Sequence, residues 1–122
     1  MIGYVTLGTN DLARGAAFYD AIAAEMGVSR MGGDDKFITW GIPRGPAGIG
    51  LTVPFDGKPA TVGNGVMVAL EAKDPAQVDR IHALALSLGG TCEGPPGQRW
   101  EGFYVAYFRD LDGNKLNAYV MS

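Results

Sequence analysis

Apolar and polar residues alternate most cleanly at the end of the chain. From Lys115 to Val120 the pleat of an extended strand puts Lys115, Asn117 and Tyr119 on one face and Leu116, Ala118 and Val120 on the other. A second alternating run, Gly102 to Phe108, precedes it. Between the two lies Asp110-Leu111-Asp112-Gly113-Asn114, in which Asp and Asn can bond their own backbone and Gly supplies a positive φ, so the segment predicts a hairpin. The opening run Ile2 to Gly8 alternates too, with Ile2, Tyr4 and Thr6 opposed to Val5 and Leu7. The period then changes. After the caps offered by Thr9-Asn10-Asp11, residues Leu12, Ala16, Tyr19, Ala23 and Met26 recur at three to four positions until Gly27, which predicts a helix. Short strands are predicted at Val28 to Met31, Lys36 to Ile42 and Ile49 to Val53, separated by turn compositions at 32–35 and 43–46. Pro54 to Gly63 lacks periodicity and reads as a linker.

The second half repeats this order. Gly65 to Glu71 predicts a strand, and Asp74-Pro75 supplies an N-cap and a first-turn proline. Val78, Ile81, Ala85 and Leu88 line one helix face that stops at Gly89-Gly90. Strands follow at about Thr91 to Glu93, Gly102 to Phe108 and Lys115 to Val120. A shift of 63 positions superposes Tyr4 on Met67, Val5 on Val68, Leu7 on Leu70, Asp11 on Asp74, Phe18 on Ile81 and Gly27 on Gly90. A shift of 67 superposes Gly50 on Asn117 and Val53 on Val120. The chain therefore reads as one domain over 1–122, built of two β-α-β-β-β units at about 1–56 and 64–122. The expected class is α+β, with two curved sheets, each covered by a helix on its outer face, forming an eight-stranded mixed cup around a cavity.

Composition narrows the function classes. The 122 residues are 47 % hydrophobic, enough for one core. The net charge of −3 comes without a basic run, so no nucleic acid partner is expected. No apolar stretch approaches the length of a membrane span and the N-terminus lacks a signal pattern, so a cytoplasmic protein with no membrane association is expected. Cys92 is the only cysteine, which excludes an intrachain disulfide.

Asn10-Asp11-Leu12 and Phe18-Tyr19 after the first strand, Asn64-Gly65 before the second unit, and Asp110-Leu111-Asp112-Gly113-Asn114-Lys115-Leu116 near the end carry a family likeness. Together with the doubled unit, they make the chain resemble the vicinal oxygen chelate superfamily of glyoxalases, extradiol dioxygenases and bleomycin-resistance proteins. The resemblance implies the cup-shaped fold over nearly the whole chain, a small-molecule ligand and a homodimer. In metal-dependent members, four ligands come from the first and last strands of the two units, positions that the repeat assigns to Tyr4, Gly50, Met67 and Asn117. The family pattern wants His, Gln or Glu there. Glycine has no side chain, Met offers a soft thioether, Asn one neutral carbonyl, and Tyr would have to lose a proton. No metal and no cofactor are therefore expected.

Tyr4 and Tyr119 share faces with those positions and are candidate ligand contacts, as are Met67 and Asn117. Gly94 to Gly102 reads as a loop that would bring Arg99 and Trp100 to the pocket mouth. His82 reads as a surface or boundary residue of the second helix, and Cys92 as buried strand filler with no basic neighbour in sequence. Gly45 to Gly50 leads into a strand, unlike phosphate-cradling loops, which open helices. Three readings compete: a binding protein without the usual metal ligands, holding a small organic molecule in the cup; a glyoxalase-type lyase or isomerase, either with an atypical metal-ligand set or metal-free with Tyr4 as acid/base; and a purely structural module, which a polar interior disfavours.

Overall fold

The computed structural model describes all residues, 1–122. The chain divides into two compact units, Met1–Val62 and Gly63–Ser122. In the first, β1 (Tyr4–Gly8) is followed by α1 (Leu12–Glu25) and by β2 (Ser29–Gly33), β3 (Phe37–Gly41) and β4 (Gly48–Thr52). In the second, β5 (Val68–Glu71) is followed by α2 (Pro75–Ser87) and by β6 (Thr91–Trp100), β7 (Phe103–Arg109) and β8 (Lys115–Met121). The eight strands form two four-stranded mixed sheets of identical topology, ordered β1-β4-β3-β2 and β5-β8-β7-β6, and neither closes into a barrel.

The repeat is exact at the level of strand register. β1 runs parallel to β4 with Thr6 opposite Gly50, and β5 runs parallel to β8 with Ala69 opposite Asn117. These pairs are related by the shifts of 63 and 67 that the sequence predicts. Both helices start on an aspartate: Asp11 accepts a hydrogen bond from the Arg14 amide at 3.1 Å, and Asp74 accepts one from the Gln77 amide at 2.8 Å. Gln77 returns the favour to the backbone, its Oε1 accepting from the Lys73 amide at 2.8 Å, which satisfies another donor at the helix start.

Each helix covers one face of its own sheet. Phe18, Tyr19 and Ile22 of α1 are buried with Leu51 and Trp40, and Val78, Ile81 and Ala85 of α2 with Ala106, Phe108, Leu116 and Ala118. The Trp40 indole N–H donates to Asp20 at 2.8 Å, and Arg30 donates to both oxygens of the same carboxylate. The Arg30 guanidinium, aided by Trp40, holds the Asp20 carboxyl below the usual carboxylate range. The 53–67 segment has no regular structure, but its Ala60 is tied to the first unit, the Ala60 amide donating to Asn10 Oδ1 at 2.7 Å.

One expected element differs. The stretch 94–100, read as a loop, is the outer part of β6, a ten-residue edge strand. Its ladder slips between Cys92 and Gly94, between Gly94 and Gly97, and between Gln98 and Trp100. Pro95 and Pro96, which have no amide hydrogen for a ladder, fall inside one of these bulged intervals on an edge strand, where proline is tolerated.

Candidate functional site

The two faces of the second sheet are told apart by their contacts. On β7, Tyr104 donates its hydroxyl to Asp79 of α2 at 2.6 Å, so Tyr104, Ala106 and Phe108 face the helix. Phe103, Val105, Tyr107 and Arg109 then occupy the opposite face. The register sets Val105 opposite Tyr119, Tyr107 opposite Asn117 and Arg109 opposite Lys115. This face is open in that α2 does not cover it, although Val105 and Asn117 within it are buried, and it carries the candidate chemistry.

At its centre is Asn117, only 2 % exposed. Its Nδ2 donates a weak hydrogen bond to the Met67 sulfur at 3.7 Å, and its Oδ1 has no partner. Exchanging the two amide atoms would leave an N–H bare instead, so either orientation leaves a buried polar group unsatisfied. Met67, 40 % exposed, covers the amide with an unbranched side chain of three rotatable bonds. Trp100, 58 % exposed, stacks on Phe103 with centroids 4.2 Å apart and planes 9° apart, and Phe103 in turn lies 5.8 Å from Tyr119. At the other end, Arg99 and Lys115 stand 5.7 and 5.4 Å from the Tyr107 ring centroid. Arg109 pairs with Glu93, whose carboxyl that pairing holds below its ordinary range.

Five of the six residues singled out from the sequence, Met67, Arg99, Trp100, Asn117 and Tyr119, therefore belong to the second unit. Arg99 and Trp100 reach this neighbourhood from an edge strand rather than from a loop. Tyr4 belongs to the first unit, where it is 63 % exposed opposite Gly48. Phe103, Tyr107 and Lys115 were not among those six. The hairpin turn contained the signal, because once Arg109 opposes Lys115 the alternation along β7 aligns Phe103 and Tyr107 with Tyr119 and Asn117.

That turn itself is structural. Asp110 Oδ1 accepts from the Asp112 and Asn114 amides, both at 2.9 Å, and Oδ2 accepts from the Asn114 side chain at 2.9 Å. Gly113 adopts φ 89°, a conformation that strains other residues. The motif thus holds the register of β7 and β8 and offers no free carboxylate pair for chemistry.

The donor set does not fit a divalent ion. In the first unit, the repeat-related counterpart of Asn117 is Gly50, and a Cβ there would stand 2.6 Å from the Phe37 ring, so an aromatic edge fills the space a ligand side chain would need. In the second unit, the counterpart positions offer a thioether and a neutral amide. No group of three or more His, Cys, Asp or Glu side chains is arranged to hold a metal ion.

Two readings of single residues are corrected. Cys92 is exposed, not buried filler, because it lies near the start of the edge strand. His82 is buried rather than superficial, and its Nε2 lies 3.3 Å from the Cys92 sulfur. Burial lowers its pKa, with Asp79 opposing the shift. The pairing was invisible in sequence because α2 and β6 bring together residues ten positions apart.

Comparison with known proteins agrees with this architecture. The model of the Glyoxalase/Bleomycin resistance protein/Dioxygenase superfamily matches residues 1–118. A glyoxalase/bleomycin resistance protein from Albidiferax ferrireducens is 39 % identical, with a TM-score of 0.89 over 98 % of this chain and 97 % of its own. A hypothetical protein from S. aureus is 27 % identical, with a TM-score of 0.75 over 96 % and 91 %. A lactoylglutathione lyase from Agrobacterium tumefaciens, at 22 % identity and a TM-score of 0.71 over 98 % and 92 %, shares the fold. Comparison with curated proteins finds no match. Doubled topology, matched register and family model converge, and the chain belongs to the glyoxalase/bleomycin resistance protein/dioxygenase superfamily.

Proposed function

We propose that this protein binds a small organic molecule on the open face of its second sheet, without a metal ion, using Asn117, Tyr119, Met67, Arg99 and Trp100. The observation that carries the reading is the bare Oδ1 of Asn117. A buried acceptor left without a donor costs about 1–3 kcal/mol, a cost that a ligand N–H or O–H would remove. Met67 moves aside to admit that donor, and the aromatic rings supply apolar contact area.

A thermal-shift screen tests the reading. A compound present at 100 times its dissociation constant raises stability by about 2.7 kcal/mol, and Asn117→Leu should abolish the shift. Binders whose shifts survive Asn117→Leu would place the site elsewhere. The second reading, a glyoxalase-type lyase or isomerase, is supported by family membership alone. Formation of lactoylglutathione from methylglyoxal and glutathione above the uncatalysed rate would favour it over simple binding.

We also propose a homodimer, since each sheet ends in unpaired edge strands. Sedimentation at about 10 μM should give a species near twice the chain mass of 12.8 kDa, and a monomer would refute the dimer.

A further inference from the structure

The open face of the second sheet presents its chemistry in tiers. Strand register places Trp100, Phe103 and Met121 in the first tier, Val105, Tyr119 and Glu71 in the second, Tyr107, Asn117 and Ala69 in the third, and Arg109 with Lys115 in the fourth. Successive tiers are two residues, about 6.8 Å, apart along an antiparallel strand. The face therefore runs from stacked aromatic rings, through one bare hydrogen-bond acceptor, to cations.

The cationic end is short of counter-charge. Arg109 is occupied by Glu93, and Lys115 acts on that same carboxylate only from beyond ion-pair distance. Lys115 has the Tyr107 ring as its partner, while Arg99 stands over that ring and donates to the Pro95 carbonyl at 2.7 Å. Neither is in an ion pair. Glu71, in the second tier, repels an anion from the aromatic half. Charge thus gives a bound molecule a direction, with a flat ring toward Trp100 and an anion toward Lys115.

Resting on the binding site proposed above, we infer that its ligand is a small carboxylate in which an N–H or O–H donor separates a flat ring from the carboxylate, the pattern of an N-aroyl amino acid. The ring lies against Tyr119 and Phe103, the donor meets Asn117 Oδ1, and the carboxylate pairs with Lys115 and Arg99. A planar carboxylate suits a guanidinium, which presents paired donors, and the lysine stem reaches back toward the third tier.

N-benzoylglycine is the probe, titrated into the whole chain and followed by Trp fluorescence and thermal shift. It should bind saturably. N-benzoylglycinamide, which lacks the charge, N-benzoyl-N-methylglycine, which lacks the donor, and N-acetylglycine, which lacks the ring, should each bind at least about tenfold more weakly. Lys115→Met and Arg99→Met change exposed or half-exposed side chains. Each should weaken N-benzoylglycine about tenfold and bring its affinity toward that of the amide. Equal binding of acid and amide, or unchanged affinity in both charge variants, would overturn the carboxylate assignment. If that binding were still lost in Asn117→Leu, the underlying site would stand. Failure of N-benzoylglycine to bind at all would overturn the ligand class, and the broader screen would then judge the site separately.

Discussion

Asn117 sits where the resemblance implies His, Gln or Glu, and its amide is half satisfied, with one N–H on a thioether and a carbonyl oxygen on nothing. Such a group weakens the ligand-free protein. Asn117→Leu keeps the branched shape and heavy-atom count of the side chain without the desolvation cost, so chemical denaturation should show a gain of about 1 kcal/mol in the absence of ligand, together with loss of ligand response. A loss of stability would mean that the amide is satisfied and is not waiting for a donor. His82 makes a second prediction at this scale. Because burial lowers its folded pKa below the unfolded value near 6.5, the native state binds fewer protons than the unfolded state, and stability rises with pH through this group. Its contribution is complete above about pH 6.5 and is lost as pH falls toward the folded pKa. His82→Gln should flatten that part of the stability profile measured by urea unfolding from pH 7 downward. An unchanged slope would assign it to other groups.

At the scale of elements, local signals were enough wherever a side chain acts on its own backbone. The aspartate caps, the first-turn Pro75 and the Asp110 turn are all short-range chemistry, and each helix and the final hairpin begin where those residues predict. Asp11→Ala and Asp74→Ala should each cost about 1 kcal/mol, read as a fall in the denaturation midpoint with an unchanged slope. A cost near zero at Asp74 would mean that Gln77 alone satisfies the start of α2. β6 shows where local reading stops. Gly94-Pro95-Pro96-Gly97 has the composition of a loop, yet pairing with β7 carries it as a bulged edge strand. That outcome depends on a neighbouring strand, not on the residues themselves. The contact between His82 and Cys92 likewise follows from packing that no local pattern encodes.

On the scale of the molecule, the duplication was legible because the two shifts of 63 and 67 positions recur as strand register, Thr6 with Gly50 and Ala69 with Asn117. The same comparison shows how the two copies have diverged. Where one unit keeps a buried amide beneath Met67, the other has a glycine backed by the Phe37 ring, so neither copy supplies the carboxylate or imidazole that a divalent cation requires. The final prediction follows from linkage. A metal held at a Kd of about 1 μM would, at about 0.1 mM, stabilise the chain by about 2.7 kcal/mol and raise its melting temperature by several degrees. Adding zinc, nickel or manganese at that concentration should leave the melting temperature unchanged, and protein purified without chelator should contain far less than one ion per chain by elemental analysis. A rise that EDTA reverses, with about one ion retained, would mean that donors outside Tyr4, Gly50, Met67 and Asn117 have taken over the site, and would return the chain to the metal-dependent branch of its family.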